Sequence, residues 1–168
     1  MPLFTTLLAM PDQFERLLAQ VPTDHLDWEP ANWAGIPSER FSARGHLCHL
    51  LDIEVLGYQV RFHRTLAESL PELASLDGYQ LALDHDYSRQ DTATQLDRFR
   101  TARLQTVEWL KTVPSDAWQR RARYGGYGEV TLDGLVRLLV SHDHQHLAGM
   151  QWLLMRLNAD LGLALPLE

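Results

Sequence analysis

Four long segments of the sequence contain apolar residues that recur with helical spacing. The four segments span about residues 3–20, 42–70, 91–112 and 131–158. Within each, apolar side chains return every three or four residues, which is the spacing of one face of an α-helix. Ser42 and Thr131 are suited to cap the second and fourth helices, and Pro71 and Pro114 follow the second and third. Because no comparable strand pattern occurs, the sequence predicts an all-α four-helix bundle.

The connecting segments are predicted to be irregular. Proline and tryptophan punctuate residues 21–41, and residues 71–90 are predicted to form a loop over the bundle surface that permits a crossover connection. The stretch PSDAW is expected to make a short helical turn, and the glycine-rich stretch YGGYGEV a hairpin or a tight loop. No internal repeat or interdomain linker is evident, so residues 1–168 are predicted to form a single domain.

Composition and charge argue against several classes of partner. The chain has 168 residues, 45% of them hydrophobic, which is enough to bury a core. Its net charge of −7 argues against nucleic acid, since phosphate binding needs a clustered positive surface. No apolar run approaches the ~18 residues of a membrane span, and the N-terminus lacks the features of a signal peptide. Cys48 is the single cysteine, so an intrachain disulfide is impossible and a cytoplasmic location is expected.

Two histidines of the stretch SHDHQHLAG, residues 141–149, fall on one face of the fourth helix. Residues four apart share a helical face, whereas residues two apart point in nearly opposite directions. His142 and His146 therefore lie together, with His144 on the other side. They interrupt a stripe on this helix whose other members are Leu135, Leu139, Gly149 and Leu153. Two neutral imidazoles in a core need hydrogen-bond partners or a metal ion, and at this point both alternatives are open.

A third histidine, on the second helix, favours the metal alternative. His49 belongs to a stripe that otherwise consists of Ile53, Leu56 and Val60. His46, one turn earlier, is the rival candidate, whereas His63 lies roughly 21 Å along the helix and cannot share the site. His25 and His85 are expected to be surface loop residues. Three neutral histidines from two facing helices would suit Zn²⁺, Ni²⁺ or Fe²⁺, with a position left for water or substrate.

Two segments carry a resemblance to a known family. The stretch FSARGHLCHLLDIEVLGYQVR, followed later in the chain by TLDGLVRLLVSHDHQHLAGMQWLL, resembles the DinB-like (DinB/YfiT) superfamily of metal-dependent enzymes. The likeness extends over most of the chain. Its most specific part is the pattern H-D-x-x-H-L, which here runs from His142 to Leu147.

The resemblance implies a four-helix bundle, often a homodimer, that holds a divalent metal ion, commonly nickel or zinc. The implied ligands are His49, His142 and His146, which leaves His46 as a neighbour. Characterised members of this family include transferases of low-molecular-weight thiols such as bacillithiol and mycothiol, and an isomerase that needs such a thiol. The resemblance thus implies a metal site and leaves the reaction open.

Other polar residues near these histidines are candidates for supporting roles. Asp143 stands where a zinc protease has its general base, but it is expected to be a surface carboxylate or one that orients a ligand histidine. Asp52, about 60° from His49 around the helix, is a better supporting candidate than Glu54, about 140° away. For either carboxylate a plain ion pair is expected. Arg61 could pair with such a carboxylate or with an anionic thiol, and a structural salt bridge is its expected role.

The remaining candidates are expected to have no part in the chemistry. Arg120, Arg121 and Arg123 form the richest basic cluster, which would suit a small anion better than a duplex. Arg121, Arg123 and Tyr124 could bind carboxylates of a substrate, but a solvated surface role is expected. Cys48 lies next to the candidate ligand of the second helix but 100° away around it, which favours a packing role over that of a nucleophile.

The candidate site and the resemblance together imply a divalent-metal-dependent enzyme that transfers a low-molecular-weight thiol, bacillithiol-like, to an electrophilic substrate. A metal ion on neutral imidazoles would hold a thiol as thiolate, and it would equally acidify water. The alternatives are therefore a metal-dependent hydrolase at the same site, or a non-catalytic metal-binding protein of a stress response. The expected partners are a small-molecule electrophile or thiol and a second copy of the chain, with no nucleic acid and no membrane.

Overall fold

The computed structural model describes residues 3–163, and helices form most of it. In chain order these are α1 (Leu3–Leu18), α2 (Ala43–Asp52), a π-helical turn (Ile53–Tyr58), α3 (Gln59–Ala67), α4 (Gly78–Asp84), α5 (Thr92–Lys111) and α6 (Leu132–Leu161). Helices α1 and α2 each pack against α5 and α6. The prediction of an all-α four-helix bundle is confirmed, with a small sheet added to it. Among residues 3–163, none of the helices combines the length and the hydrophobicity that a membrane span requires.

Side-chain caps fix where three of the long helices begin. The hydroxyl of Ser42 accepts a hydrogen bond from the backbone N–H of Gly45 at the start of α2. Thr131 does the same for the N–H of Gly134 at the start of α6, and Asp91 caps α5. Each cap satisfies an N–H group that the helix itself leaves without a partner. The two caps predicted from the sequence, Ser42 and Thr131, are confirmed.

Two apolar clusters fill the bundle, one toward each end. One includes the buried side chains of Phe14, Leu47, Leu50, Phe99, Met150 and Leu157. The other includes those of Leu7, Phe62, Val107, Leu110, Leu135 and Leu139. Burial of each such side chain contributes about 1.5–3 kcal/mol. The apolar residues predicted to flank the histidines of α6, Leu135, Leu139 and Leu153, are all buried.

A π-helical turn over Ile53–Tyr58 interrupts the second long helix. An i→i+5 turn takes up about one more residue than an α-helical turn, so it rotates the following side chains by roughly 100°. The prediction that Leu56 and Val60 share the buried face of His49 is therefore wrong, since these two side chains are 40% and 47% exposed. Arg61 is buried instead.

The segment between the second and third long helices contains more structure than the predicted loop. It holds a two-residue strand, β1 (Glu72–Leu73), and the seven-residue helix α4. Strand β1 is too short to show an alternating pattern, and α4 buries none of its residues, so neither leaves a periodic signal in the sequence. The carboxylate of Asp77 caps α4 by accepting from the N–H groups of Tyr79 and Gln80.

The glycine-rich stretch forms a hairpin, which is one of the two structures predicted for it. Strands β2 (Arg121–Tyr124) and β3 (Gly128–Thr131) pair in antiparallel fashion, and β1 pairs with β2 in parallel. Gly126 and Gly128 have positive φ angles of 84° and 75°, a backbone conformation that glycine adopts without strain. The resulting three-stranded sheet lies against the end of the bundle where Leu73 and Ala122 are buried.

A buried ion-pair network ties the long helices together. Arg103 of α5, which is 1% exposed, donates to both carboxylate oxygens of Asp143 on α6 at 2.6 and 3.1 Å. Its guanidinium also lies 3.0 Å from the Glu54 carboxylate of the π-helical turn, and it donates to the backbone carbonyl of Leu7 on α1. Thr106 donates to the other oxygen of Glu54. The network thus fixes the position of α6 relative to α1, α5 and the π-helical turn.

Candidate metal centre

Three histidine side chains and one carboxylate converge between α2 and α6. The Nε2 atoms of His49 and His146 each lie 3.2 Å from Nε2 of His142. The carboxylate of Glu39, in the segment before α2, lies 3.2 Å from Nε2 of His146. One ligand atom from each of the four residues lies within 4.8 Å of the others, so the group could hold a metal ion.

The other histidines lie outside this group. His144 is exposed, on the side of α6 away from its two neighbours. His63 is also exposed and packs against Trp109, with ring centroids 4.2 Å apart. His25 lies in a short 3-10 turn, and His85 ends α4 and is hydrogen-bonded to Asp52.

Two glycines allow neighbouring segments to approach the histidines closely. A Cβ atom on Gly149 would lie 2.2 Å from Oγ of Ser38 and 2.9 Å from Cε1 of His46. A Cβ atom on Gly78, the first residue of α4, would lie 2.6 Å from Cε1 of His49. The space that the absent side chain of Gly149 leaves beside the α6 histidines is therefore filled by His46 and by the segment that carries Glu39.

His46 supports a neighbouring histidine of the group. Its Nδ1 lies 2.7 Å from Nδ1 of His146, and both rings are fully buried. If Nε2 of His146 keeps its lone pair for a ligand, its Nδ1 carries the proton and donates to His46. The structure thus gives His46, the rival candidate in the sequence, the place of a residue that orients His146.

Burial favours the neutral form of two histidines of this group, His49 and His142. It lowers the pKa of His49 to about 3, with a further decrease from the nearby His146. The same two causes hold the pKa of His142 well below its ordinary range. The hydrogen bond with His146 lowers the pKa of Glu39, so this carboxylate stays ionised. The site therefore presents two imidazoles that are held neutral and one negative charge.

These residues fit a divalent metal ion. Neutral imidazole nitrogens with free lone pairs are the ligands that zinc, nickel and iron accept, and a carboxylate is compatible with all three. Two nitrogens that bind one zinc ion at about 2.0–2.1 Å in a tetrahedron lie about 3.3 Å apart, close to the 3.2 Å seen here. Moreover, Nε2 of His142 faces two other ring nitrogens and carries at most one proton, so protons alone leave this arrangement unsatisfied.

The structure places Asp143 in the core, where it pairs with Arg103. It is 3% exposed, so the predicted surface position is wrong. Both of its carboxylate oxygens accept hydrogen bonds from Arg103, and none of its hydrogen bonds within the described residues goes to a histidine. Its pKa is raised by burial, which the neighbouring guanidinium opposes. The ion pair expected for Glu54 is present, and its partner is likewise Arg103.

Asp52 and Cys48 lie beside a different cavity, of about 370 Å³. The carboxylate of Asp52 accepts from the Tyr87 hydroxyl at 2.6 Å and lies 2.7 Å from Nδ1 of His85. These contacts place Asp52 with α4 and the turn after it, not with the histidine group. Cys48 is buried, and burial raises the pKa of its thiol to about 12, which agrees with a packing role.

A cavity of about 200 Å³ gives access to the histidine group. Its lining includes Glu39, His49, His142, Tyr58, Arg61 and Tyr124. The salt bridge expected for Arg61 is absent among residues 3–163, where its guanidinium donates to the backbone carbonyl of Ala74. Arg121 and Arg123 are exposed and pair with Glu129 and Glu72, so of the three hairpin candidates only Tyr124 reaches the cavity.

Glu39 is the residue of this site that the sequence did not point to. It lies in an irregular segment, where no periodicity relates its position to that of the helices. The nearest signal is the sequence IPSERF, in which Glu39 comes shortly before the cap of α2. Its position just before a helix that carries a candidate ligand is a reason to consider Glu39 for the site. The sequence does not, however, indicate in which direction its side chain points.

The fold and the site together define a helical bundle with a candidate metal centre between two of its helices. This chain belongs to the DinB superfamily, whose family model matches residues 6–150. The resemblance seen in the sequence is thereby confirmed. No functionally curated protein matches the chain.

A solved structure shows the same fold. It is YfiT from Bacillus subtilis, described as a probable metal-dependent hydrolase with an unusual four-helix bundle topology. The two chains are 20% identical and superpose with a TM-score of 0.78, over 96% of this chain and 87% of YfiT. The arrangement of the four long helices is therefore that of YfiT.

Proposed function

We propose that this protein is a divalent-metal-dependent hydrolase that acts on a small molecule. The observation that carries the proposal is the convergence of three imidazole nitrogens and one carboxylate within 4.8 Å. His49, His142 and His146 would hold zinc, nickel or iron. When bound, such a cation acidifies a water molecule or a thiol and polarises a carbonyl or phosphoryl oxygen. The description of YfiT as a probable metal-dependent hydrolase agrees with this assignment.

Glu39 is suited to accept a proton from a water nucleophile. Its carboxylate lies at the edge of the histidine group and is 41% exposed, so it can take the proton of an attacking water and pass it to solvent. His46 meanwhile fixes the ring of His146 through their shared hydrogen bond. The residues of the chain thus supply a proton acceptor and a rigid set of nitrogen ligands.

Transfer of a low-molecular-weight thiol is the second candidate. Three neutral imidazoles leave the full positive charge of a cation to stabilise a thiolate, which supports this reaction. Glu39 could take the proton of a thiol as well as that of water, so it serves either reaction. The description of YfiT as a probable metal-dependent hydrolase makes hydrolysis the better-supported reaction. The homodimer and the cytoplasmic location stay predictions.

Metal analysis of the purified protein is the first test. We expect close to one divalent ion per chain in the wild type, and loss of the ion in His49→Ala and His142→Ala. His144→Ala is the matched control, because this histidine is on the same helix but exposed. Equal metal content in all variants, or no bound metal in the wild type, would overturn the proposal.

Activity assays then separate the reactions. Metal-loaded and chelator-stripped protein are compared on a panel of activated esters, amides and phosphate esters, and on consumption of bacillithiol or glutathione with an electrophile. We expect metal-dependent hydrolysis that falls by about 10²- to 10⁴-fold in Glu39→Gln, which removes the proton acceptor. Metal-dependent loss of thiol without hydrolysis would establish the second candidate instead. A bound metal with neither activity would indicate a non-catalytic metal-binding protein.

A further inference from the structure

Arg61 is a buried cation that has no acidic partner in the described part of the chain. It is 4% exposed, and the other buried arginine in the described part of the chain, Arg103, pairs with two carboxylates. Arg61 forms no ion pair with any carboxylate of residues 3–163. Its hydrogen bonds there, from Nε at 3.4 Å and Nη2 at 3.1 Å, go to the carbonyl of Ala74. A buried charge of this kind normally has a partner of opposite charge, because removing it from water is costly.

Two tyrosines fix the plane of this guanidinium. The central carbon of Arg61 lies 5.0 Å from the ring centroid of Tyr58 and 4.7 Å from that of Tyr124. Stacking of this kind is favourable for an arginine and holds its planar edge in one orientation. A guanidinium has five N–H groups, and the two nitrogens that contact Ala74 leave both N–H groups of Nη1 without an acceptor among the described residues.

The π-helical turn brings Arg61 to the face of the candidate ligand His49. The two residues are twelve apart, so an uninterrupted α-helix would separate them by about 120° around its axis. The rotation of roughly 100° that the π-helical turn introduces brings them to nearly the same face. Gly57 makes this possible at close range, since a Cβ atom there would lie 3.0 Å from Nη1 of Arg61. Both side chains line the cavity of about 200 Å³.

The negative charge in this cavity does not neutralise Arg61. Glu39 is the one carboxylate among the described residues that line the cavity. It lies against His146 at 3.2 Å and forms no ion pair with Arg61. The cavity therefore has a carboxylate at its histidine side and an unpaired guanidinium elsewhere in its wall. Such a wall is complementary to a small molecule that carries an anionic group.

We propose that Arg61 binds an oxyanion, a carboxylate or a phosphate, of the small-molecule substrate. The inference that this anion belongs to the substrate rests on the proposed function, because the same cavity holds the histidine group. Either oxyanion presents two oxygens to the paired N–H groups of a guanidinium edge. Pockets that bind drug-sized ligands have volumes of roughly 300 Å³ or more. This cavity is smaller, which favours a compact ligand.

A binding experiment on the metal-free wild-type protein tests the anion site by itself. The Nε–Hε signal of Arg61 is followed by ¹⁵N NMR while succinate, inorganic phosphate or the neutral succinamide is added. We expect a saturable shift with succinate, with phosphate or with both, and none with succinamide; the responding anion identifies the oxyanion. No shift with either anion, or an equal shift with succinamide, overturns the proposal.

Variants of two arginines on the same helix show whether the charge is responsible. In Arg61→Met we expect the affinity for the responding anion to fall about 10- to 100-fold, because charge-assisted hydrogen bonds are lost. Arg64→Met is the matched control, since Arg64 is paired with Glu68 outside the cavity. Equal affinities in the two variants overturn the proposal. The wild-type titration stands even if Arg61→Met does not fold.

A substrate comparison links the anion to turnover. Metal-loaded protein is assayed on a half-ester of succinate, which keeps one carboxylate, and on the neutral diester. We expect a kcat/KM ratio that favours the half-ester and that falls about tenfold or more in Arg61→Met. Hydrolysis without preference for the half-ester overturns the anion site and leaves the hydrolase standing. Anion binding without hydrolysis by any metal-loaded form overturns the hydrolase and leaves the anion site standing.

Discussion

His46 and His146 face each other with their Nδ1 atoms 2.7 Å apart, so a histidine outside the candidate ligand group orients one inside it. Partners of this kind fix the tautomer and the ring orientation of a metal ligand, and their loss typically costs 10–100-fold in metal affinity. We expect a loss of about that size in His46→Ala, measured by competition with a chelating dye. His46→Asn, whose amide oxygen can accept the same hydrogen bond, should recover part of it. Affinity in His46→Ala equal to that of His144→Ala would contradict this role.

Acid should destabilise the metal-free protein through its buried histidines. The folded pKa values of His46, His49 and His142 are lowered by burial, and that of His49 falls to about 3. The unfolded chain, with histidine pKa values near 6.5, therefore binds more protons below about pH 7. The free energy of unfolding must then decrease as the pH falls from about 7, by up to about 1.4 kcal/mol per pH unit for each histidine.

Urea unfolding at several pH values between 5 and 7.5, in the presence of a chelator, measures this slope. His49→Gln should reduce it by up to about 1.4 kcal/mol per pH unit, because one of the titrating groups is removed. The raised pKa of Asp143 acts in the opposite direction, but it is common to both proteins and cancels in the comparison. The same slope in wild type and variant would show that His49 is not held neutral by the fold.

The sequence predicted the parts of the fold and site that follow from a regular helix. His142 and His146 are four residues apart on α6, and that spacing alone places them on one face. Ser42 and Thr131 begin their helices because a hydroxyl at that position satisfies an N–H group that the helix cannot. Such features depend only on residues within one helical turn of each other, so they can be predicted from a single sequence.

The parts that could not be predicted depend on departures from that regularity. The sequence of the π-helical turn also fits an α-helix, so the outward position of Leu56 and the inward position of Arg61 follow only once the turn is known. Glu39 reaches the histidines from an irregular segment, where spacing carries no directional information. An arginine is common on an amphipathic helix such as α5, so the sequence does not single out Arg103 as buried. Its two buried partners, Glu54 and Asp143, come from helical segments that are distant in sequence.

Removal of Arg103 should be strongly destabilising. In Arg103→Met the carboxylates of Glu54 and Asp143 remain in the core without a cation, and breaking a buried pair in this way typically costs about 3–5 kcal/mol. Arg100→Met is the matched control on the same helix, because Arg100 pairs with Glu15 at the surface and should contribute about 1 kcal/mol or less. The free energy of unfolding in urea measures both. Similar losses in the two variants would contradict a structural role for the buried network.

Two glycines of α6 should respond in opposite ways to the same substitution. Alanine is favoured over glycine in a helix by about 1 kcal/mol, and Gly134→Ala should gain up to that amount, since its Cβ would meet Oγ1 of Thr131 at an ordinary 3.4 Å. In Gly149→Ala the added Cβ would lie 2.2 Å from Oγ of Ser38 and must displace the segment that carries Glu39, so we expect a net loss of about 1–3 kcal/mol. Thermal and urea unfolding of both variants measure the difference. Metal affinity should fall only in Gly149→Ala, because the displaced segment and His46 both contact the histidine group. Equal stabilisation by the two substitutions would show that the close approach at Gly149 does not constrain the site.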